Sequence, residues 1–217
     1  MAMSVNGIIA DEDGSEDFLS HDNWIAFTKL ANKIGSYIWG RKTYEAVIKW
    51  EGDYLDDLKD VTKIVISKQA NLQLDPRFIQ AKSPEEALNI LQKRGKKEAL
   101  ITGGPTLNSS FLKQGLVDEL ILTIEPVLLG KGVPLLSPVN VNLRLKLIKV
   151  ENLAPDHLAV HYAVENRFLT TSPSFIPSTS SGLCRIWDIL GSHAQRGSIP
   201  LSRKPTEFSL YLQPLLK

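Results

Sequence analysis

The chain has 217 residues and a formal net charge of +1, and 43% of its residues are hydrophobic. This apolar share is enough for a sizeable core, whereas the near-neutral charge argues against a surface that binds nucleic acid or membranes through bulk electrostatics. No stretch approaches the roughly 18 apolar residues that a membrane span needs. The single cysteine, Cys184, excludes an internal disulfide and a cysteine metal cluster.

Composition divides the chain near residue 166. Residues 1–166 carry a net charge of −3, and residues 167–217 carry a net charge of +4. The segment 170–181 consists mostly of Ser, Thr and Pro, which is typical of a linker or a disordered segment. We therefore predict one folded domain over residues 1–166 and a disordered tail over residues 167–217. The first residues lack the basic start of a signal peptide, so we expect the chain in the cytoplasm.

In chain order, the hydrophobic pattern predicts alternating strands and helices. An Asn-Gly pair interrupts the first predicted strand, and the strands cover residues 2–10, 36–39, 62–67, 99–102 and 119–125. The predicted helices cover residues 22–33, 42–49, 84–93 and 106–114, and Ser83 with Glu86 forms a capping box before the third. Two further strands, 143–153 and 157–165, follow without an intervening helix. This order predicts an α/β fold with a mainly parallel central sheet, covered on both faces, and an antiparallel C-terminal hairpin.

One strand-to-helix junction has the features of a phosphate site. Gly103 and Gly104 follow a buried strand and precede a helix that begins near Pro105. Glycines let a ligand approach the main chain closely. The free N–H groups and the positive dipole end of the helix favour an anion. Alone, this pattern is equally typical of a structural turn.

Basic residues follow two other strands of the predicted sheet. Arg41 and Lys42 come directly after the strand 36–39, and Lys68 follows the strand 62–67. Ligands of open α/β sheets bind beyond the carboxyl ends of the strands. The three strand ends together predict a site for a ligand with more than one phosphate.

Four segments resemble, in order and spacing, the dihydrofolate reductase-like superfamily. They are AMSVNGIIA from residue 2, GRKTYE from residue 40, VISKQ from residue 65 and TGGPTLNSSFLKQGLVDELILTIEPVLLGKGVPLL from residue 102. The long block is the most specific, and it resembles the reductase domain at the C-terminus of the bacterial bifunctional riboflavin-biosynthesis deaminase-reductase. The resemblance covers about residues 2–165 and implies a three-layer dihydrofolate reductase-like fold.

The resemblance also implies NADPH as the hydride donor. The residues implied to contact it are Ala2, Ile9, Gly40, Arg41, Lys42, Thr43, Ser67, Lys68, Lys82, Thr102, Gly103, Gly104, Pro105 and Thr106. Cationic side chains there would favour NADPH over NADH, because the two cofactors differ only by the 2′-phosphate. A cis bond between the two glycines and a lid over the nicotinamide at residues 11–18 are implied as well.

The reaction implied by the resemblance is the reduction of a ribosylaminopyrimidine, a small-molecule substrate expected beside Trp24, Phe27 and Thr123. True dihydrofolate reductases place a carboxylate early in the first helix, and ungapped alignment puts Trp24 at that position, which argues against dihydrofolate as the substrate. Asp22 is the candidate catalytic acid. Its alternative role is the N-cap of the first helix.

Two alternatives stay open. One is dihydrofolate reduction, and the other is a nucleotide-binding protein that has lost turnover. The second is suggested by the resemblance, which implies a first strand that begins part-way, and by the unusual tail. His157 and His161 lack a third ligand in the sequence pattern, so we predict structural histidines and no metal site. The resemblance further implies a homodimer.

Overall fold

The computed structural model describes residues 1–50 and 54–165 and the backbone of Ser209–Leu212. Its strands are β1 (Ala2–Ser4), β2 (Ile8–Ala10), β3 (Ser36–Gly40), β4 (Thr62–Ile66), β5 (Phe78–Ala81), β6 (Glu98–Ile101), β7 (Glu119–Glu125), β8 (Val133–Pro134), β9 (Arg144–Ala154), β10 (His157–Glu165) and β11 (Ser209–Leu212). Its helices are α1 (His21–Ile34), α2 (Arg41–Val47), α3 (Pro84–Lys93) and α4 (Pro105–Lys113), with a short 3-10 helix at Asp56–Leu58. Within these ranges, no helix has the length and apolar character needed to cross a membrane.

Nine strands form one sheet in the order β5-β4-β3-β6-β11-β7-β10-β9, and β1 also pairs with β7. The strands from β5 to β7 run parallel, whereas β10 is antiparallel to both β7 and β9. β2 and β8 form a separate antiparallel ribbon. The predicted mainly parallel sheet and the C-terminal hairpin are confirmed.

Alternate residues of the parallel strands contribute to two separate cores. Ile38 and Ile64 pack in a cluster with residues of α3 and α4. Tyr37 and Val65 pack in a second cluster with residues of α1 and α2. Because successive side chains of a strand point to opposite faces of the sheet, the helices cover both faces. The three-layer fold is thereby confirmed.

The helix ends follow from local chemistry. The Oγ of Ser83 accepts a hydrogen bond from the N–H of Glu86 at 3.2 Å, which confirms Ser83 as the N-cap of α3. The Glu86 carboxylate accepts a bond from the N–H of Lys82 at 2.8 Å, one residue before the partner expected for a capping box. α1 ends at Gly35, whose φ of +78° suits a glycine C-cap.

Within residues 1–165, the strands differ from the sequence prediction at three places. The first predicted strand is divided into two strands, β1 and β2, by the turn at Asn6 and Gly7. β1 pairs with β7, whereas β2 pairs with β8. β5 and β8 were not predicted. β8 has only two residues, and the four residues of β5, Phe-Ile-Gln-Ala, form neither a clear alternation nor a continuous apolar run.

The predicted disordered tail, residues 167–217, lies outside the described residues apart from β11. β11 lies between β6 and β7 and runs parallel to both. These four residues therefore depart from the prediction of disorder. Their Ser-Leu-Tyr-Leu sequence is too short for its pattern to separate a strand from part of a helix.

Candidate cofactor site

The ends of β3 and β6 meet at two glycine corners. The N–H of Gly40 donates to the carbonyl oxygen of Gly103 at 3.0 Å, and a Cβ added to Gly40 would lie 3.4 Å from that oxygen. On the other side of β3, β4 ends at Ile66 and is followed by Ser67 and Lys68. The parallel order β4-β3-β6 therefore brings the three predicted strand ends to one edge of the sheet.

The corner after β6 is formed by two residues without side chains. The bond between Gly103 and Gly104 is cis, as the resemblance implied, and Gly103 has a φ of +100°. A Cβ on either glycine would lie 3.7 Å from the Oγ1 of Thr43. α4 follows directly, with Gly104 as an N-cap that provides no side-chain hydrogen bond and Pro105 in the first turn. Its N-terminal N–H groups suit an anion such as a pyrophosphate.

Two cavities of about 630 Å³ each adjoin the glycine corner. They share Lys42, Thr43, Gly104, Pro105 and Thr106. The first, which we call the lid cavity, is also lined by Ala2, Ile9, Thr102 and Gly103. The second, which we call the cationic cavity, is also lined by Gly40, Arg41, Ser67, Lys68 and Lys82. Every residue that the sequence predicted to contact NADPH thus lines one cavity or both.

Positive charge dominates the cationic cavity. Lys42, Lys68 and Lys82 all line it. The Nη1 of Arg41 donates to both carboxylate oxygens of Glu45, at 2.7 and 2.8 Å, and the Arg41 side chain stays 38% exposed. Glu85 is an acidic residue of this lining, and a hydrogen bond from the Ser83 hydroxyl lowers its pKa. The excess of cations suits a ligand with several phosphate charges.

The predicted lid borders the other cavity. Its residues Glu12, Asp13 and Glu16 line the lid cavity together with Ile9 and Ala10 of β2. The loop before β8 packs tightly against β2, since a Cβ added to Gly132 would lie only 2.5 Å from the carbonyl oxygen of Ala10. We expect this contact to set the position of β2, and therefore of one wall of the lid cavity.

The residues predicted for the substrate side are buried in the core. Trp24, Phe27 and Thr123 are each at most 2% exposed, and none of them lines either cavity. The Trp24 ring packs against those of Phe27 and Tyr54, at centroid distances of 5.3 and 5.2 Å. A substrate contact by these side chains stays a prediction.

Asp22 lies on the exposed side of the first turn of α1 and lines neither cavity. The helix begins one residue earlier, and Ser20 is its N-cap. The alternative N-cap role of Asp22 is therefore wrong. Its predicted catalytic role stays a prediction.

A buried carboxylate at the end of β7 was missed by the sequence analysis. Glu125 is 2% exposed and accepts hydrogen bonds from the N–H and the hydroxyl of Ser20, both at 3.1 Å, and from the side-chain amide of Asn23. The Nε2 of His157 lies 2.7 Å from its other oxygen. Glu125 thus ties the end of the lid segment and the start of α1 to the central sheet. A single glutamate between Ile124 and Pro126 gave the only signal.

The family assignment follows from comparison with known proteins. The chain matches the RibD C-terminal domain over residues 1–159. The chain belongs to the RibD C-terminal domain family. It is 30% identical over 176 residues to the uncharacterized protein YyaP of Bacillus subtilis (strain 168), and this match covers 75% of the chain and 91% of YyaP.

Two further similarities are to proteins whose names refer to riboflavin biosynthesis. It is 34% identical over 86 residues to the riboflavin biosynthesis protein RibD of Mycobacterium tuberculosis (strain ATCC 25618 / H37Rv), covering 37% of this chain and 25% of that protein. A solved structure from Shewanella sp. PV-4, assigned to riboflavin biosynthesis, has a TM-score of 0.63 and 26% identity, and covers 76% of this chain and 97% of that one. Membership of the RibD C-terminal domain family confirms the resemblance that the sequence motifs indicated.

Proposed function

We propose that this member of the RibD C-terminal domain family is an NADPH-dependent oxidoreductase that reduces a ribosylaminopyrimidine resembling 5-amino-6-(5-phosphoribosylamino)uracil. The observation that carries this proposal is the cationic cavity, which adjoins the glycine corner and the N-terminus of α4. Its lysines and Arg41 are suited to the 2′-phosphate, and the bare main chain at Gly103 and Gly104 is suited to the pyrophosphate.

The residues present fit this cofactor. NADPH, when bound, supplies a hydride from its nicotinamide ring. Ala2 and Ile9 line the lid cavity, where their backbone atoms would hold the carboxamide and so orient the ring. The lid residues would exclude water from the reacting atoms. The chemistry that NADPH would supply is reduction of the substrate's open-chain imine, in which the sugar carbon would accept the hydride and the imine nitrogen a proton, to give a ribitylamino chain.

Fluorescence titration with NADPH and NADH tests the cofactor assignment, and NADPH consumption with a substrate panel tests the reaction. We expect tighter binding of NADPH and its oxidation in the presence of the ribosylaminopyrimidine. Oxidation with dihydrofolate instead would support the dihydrofolate alternative. Binding of NADPH without its oxidation in the presence of either substrate would support the alternative of a nucleotide-binding protein that has lost turnover.

Reversing the charge of Lys42 is expected to weaken NADPH binding by about tenfold or more. Lys42 lines both cavities, and a hydrogen bond to a charged group contributes about 1.5–3 kcal/mol, where about 1.4 kcal/mol is a tenfold change in affinity. The measurement is the NADPH dissociation constant of Lys42→Glu. Lys93→Glu is the matched control, because Lys93 is exposed on α3 and lines neither cavity. Equal affinities in the two variants would contradict the assignment of the cationic cavity to NADPH.

We also propose that the protein is a homodimer. β9 is an edge strand of the sheet, and several of its apolar side chains are exposed, namely Leu145, Leu147, Ile148 and Val150. A run of exposed apolar residues on an edge strand favours association. Light scattering is expected to give twice the mass of the chain, and a monomer at all accessible concentrations would refute this.

A further inference from the structure

β1 and β11 lie one after the other along the same edge of β7 in the central sheet. β1 lies along the second half of β7, with Ala2 opposite Thr123. β11 lies along the first half of β7, with Leu212 opposite Leu120. Both run parallel to β7. We call the space that β11 fills, between β6 and residues 119–120 of β7, the β11 slot.

The walls of the β11 slot are buried strands whose other edges are already paired. Leu100 and Ile101 of β6 are fully buried, and Leu120 of β7 is 6% exposed. β6 pairs with β3 on its far side, and β7 pairs with β10. Each wall strand therefore directs its remaining backbone N–H and C=O groups into the slot. Buried backbone groups need hydrogen-bond partners, and a parallel strand provides them.

β11 fits the slot in register and in composition. It pairs with β6 over four residues, from Ser209 opposite Glu98 to Leu212 opposite Ile101. It pairs with β7 through Tyr211 and Leu212. Three of its four residues are apolar, as in strands that are covered on both faces of a parallel sheet.

The topology allows the same chain to supply this strand. β10 runs antiparallel to β7 and ends beside its start, with Ala163 opposite Glu119. β11 runs past the same end of β7, with Tyr211 opposite Glu119. β7 lies between β10 and β11, so these two strands are two strand spacings, about 10 Å, apart. Residues 166–208 are ample to join them, since an extended chain spans about 3.3 Å per residue.

We propose that the β11 slot is a binding surface for the chain's own C-terminal segment, and that this strand stabilises the part of the sheet that carries the glycine corner. Leu212 lies opposite Ile101, the last residue of β6. From Ile101 the chain passes directly into Thr102 and Gly103, which line the lid cavity. Loss of β11 would therefore loosen the strand that positions the corner.

The test uses the full chain with a specific protease site introduced within residues 170–181. After cleavage under native conditions, we expect the C-terminal fragment to co-elute with the body of the protein and to separate only in denaturant. A wild-type fragment that separates freely after cleavage would overturn the proposal.

A backbone variant makes the test specific. Tyr211→Pro removes an N–H from β11, which a strand inside a sheet cannot spare. In the uncut chain it should lower the melting temperature by about 5 °C or more and speed amide hydrogen exchange in β6. After cleavage it should release the fragment. Ser180→Pro is the control and should behave as wild type. Equal fragment retention and equal melting in all three proteins would refute β11 binding, and because no readout involves NADPH, that failure would leave the proposed function standing.

Discussion

Gly132→Ala is expected to displace β2 and to weaken NADPH binding about tenfold. Gly132 has a φ of +146°, a conformation that residues with side chains rarely adopt. The added Cβ would also lie 2.5 Å from both the carbonyl oxygen of Ala10 and the Cγ2 of Ile8. Because one of these contacts is backbone, rotation of a side chain cannot relieve the overlap. Backbone strain and overpacking each cost roughly 1–3 kcal/mol, so we also expect the melting temperature to fall by about 5 °C.

Gly130→Ala provides the matched control for that experiment. It changes the same residue type in the same loop, but a Cβ at Gly130 meets no atom within 4 Å. Thermal melting and NADPH titration should therefore give wild-type values for Gly130→Ala. If Gly132→Ala also melted and bound as wild type, the contact between this loop and β2 would not set the wall of the lid cavity.

Glu125→Ala is expected to lower the free energy of unfolding by about 3 kcal/mol or more. The substitution removes the acceptor of two hydrogen bonds from Ser20 and one from Asn23, and it leaves the Nε2 of His157 without the carboxylate 2.7 Å away. A hydrogen bond to a charged group contributes about 1.5–3 kcal/mol, and leaving a buried donor unsatisfied costs about 1–3 kcal/mol, so the loss of several such bonds adds up to this amount. Urea denaturation measures the loss. Since Ser20 follows the lid segment, protease cleavage within residues 11–19 should also become faster.

Glu151 is an exposed carboxylate that also has polar partners, so replacing it tests whether burial makes the contacts of Glu125 strong. Glu151 lies 2.8 Å from the Nζ of Lys149 and 3.1 Å from the Nε2 of His161, but its side chain is 44% exposed. Exposed pairs contribute about 0–1 kcal/mol, so Glu151→Ala should unfold almost as wild type. Equal losses in the two variants would show that burial of the Glu125 carboxylate is not what makes its contacts strong.

Local chemistry made much of the fold, and the strand ends that border the candidate site, predictable. Gly103, Gly104 and Pro105 combine a strand end, a flexible corner and a helix start within three residues. The capping pattern at Ser83 predicts the start of α3. These signals depend on neighbours in sequence, so the sequence alone locates the strand end, the glycine corner and the helix start. The parallel order of the sheet then brings the strand ends together, as the alternation of strands and helices predicts.

Features that depend on distant contacts could not be predicted. Glu125 is the last residue of a strand that also begins with a glutamate, and its partners Ser20 and His157 are remote in sequence. Asp22 illustrates the opposite case: its residue type suited an N-cap, but the helix begins at His21 and Ser20 is the N-cap. β5 is specified by its pairing with β4, which the Phe-Ile-Gln-Ala pattern of β5 does not reveal.

The position of β11 also has a consequence for the order in which the protein assembles. β11 follows every other described strand along the chain, yet it lies in the middle of the sheet. A nascent chain on the ribosome can form the β9–β10 hairpin and the early helix–strand units first. The centre of the sheet closes only when residues 209–212 have emerged, and pairing between segments so far apart in sequence is intrinsically slow. Until then, the facing edges of β6 and β7 are the surface most in need of protection from other chains.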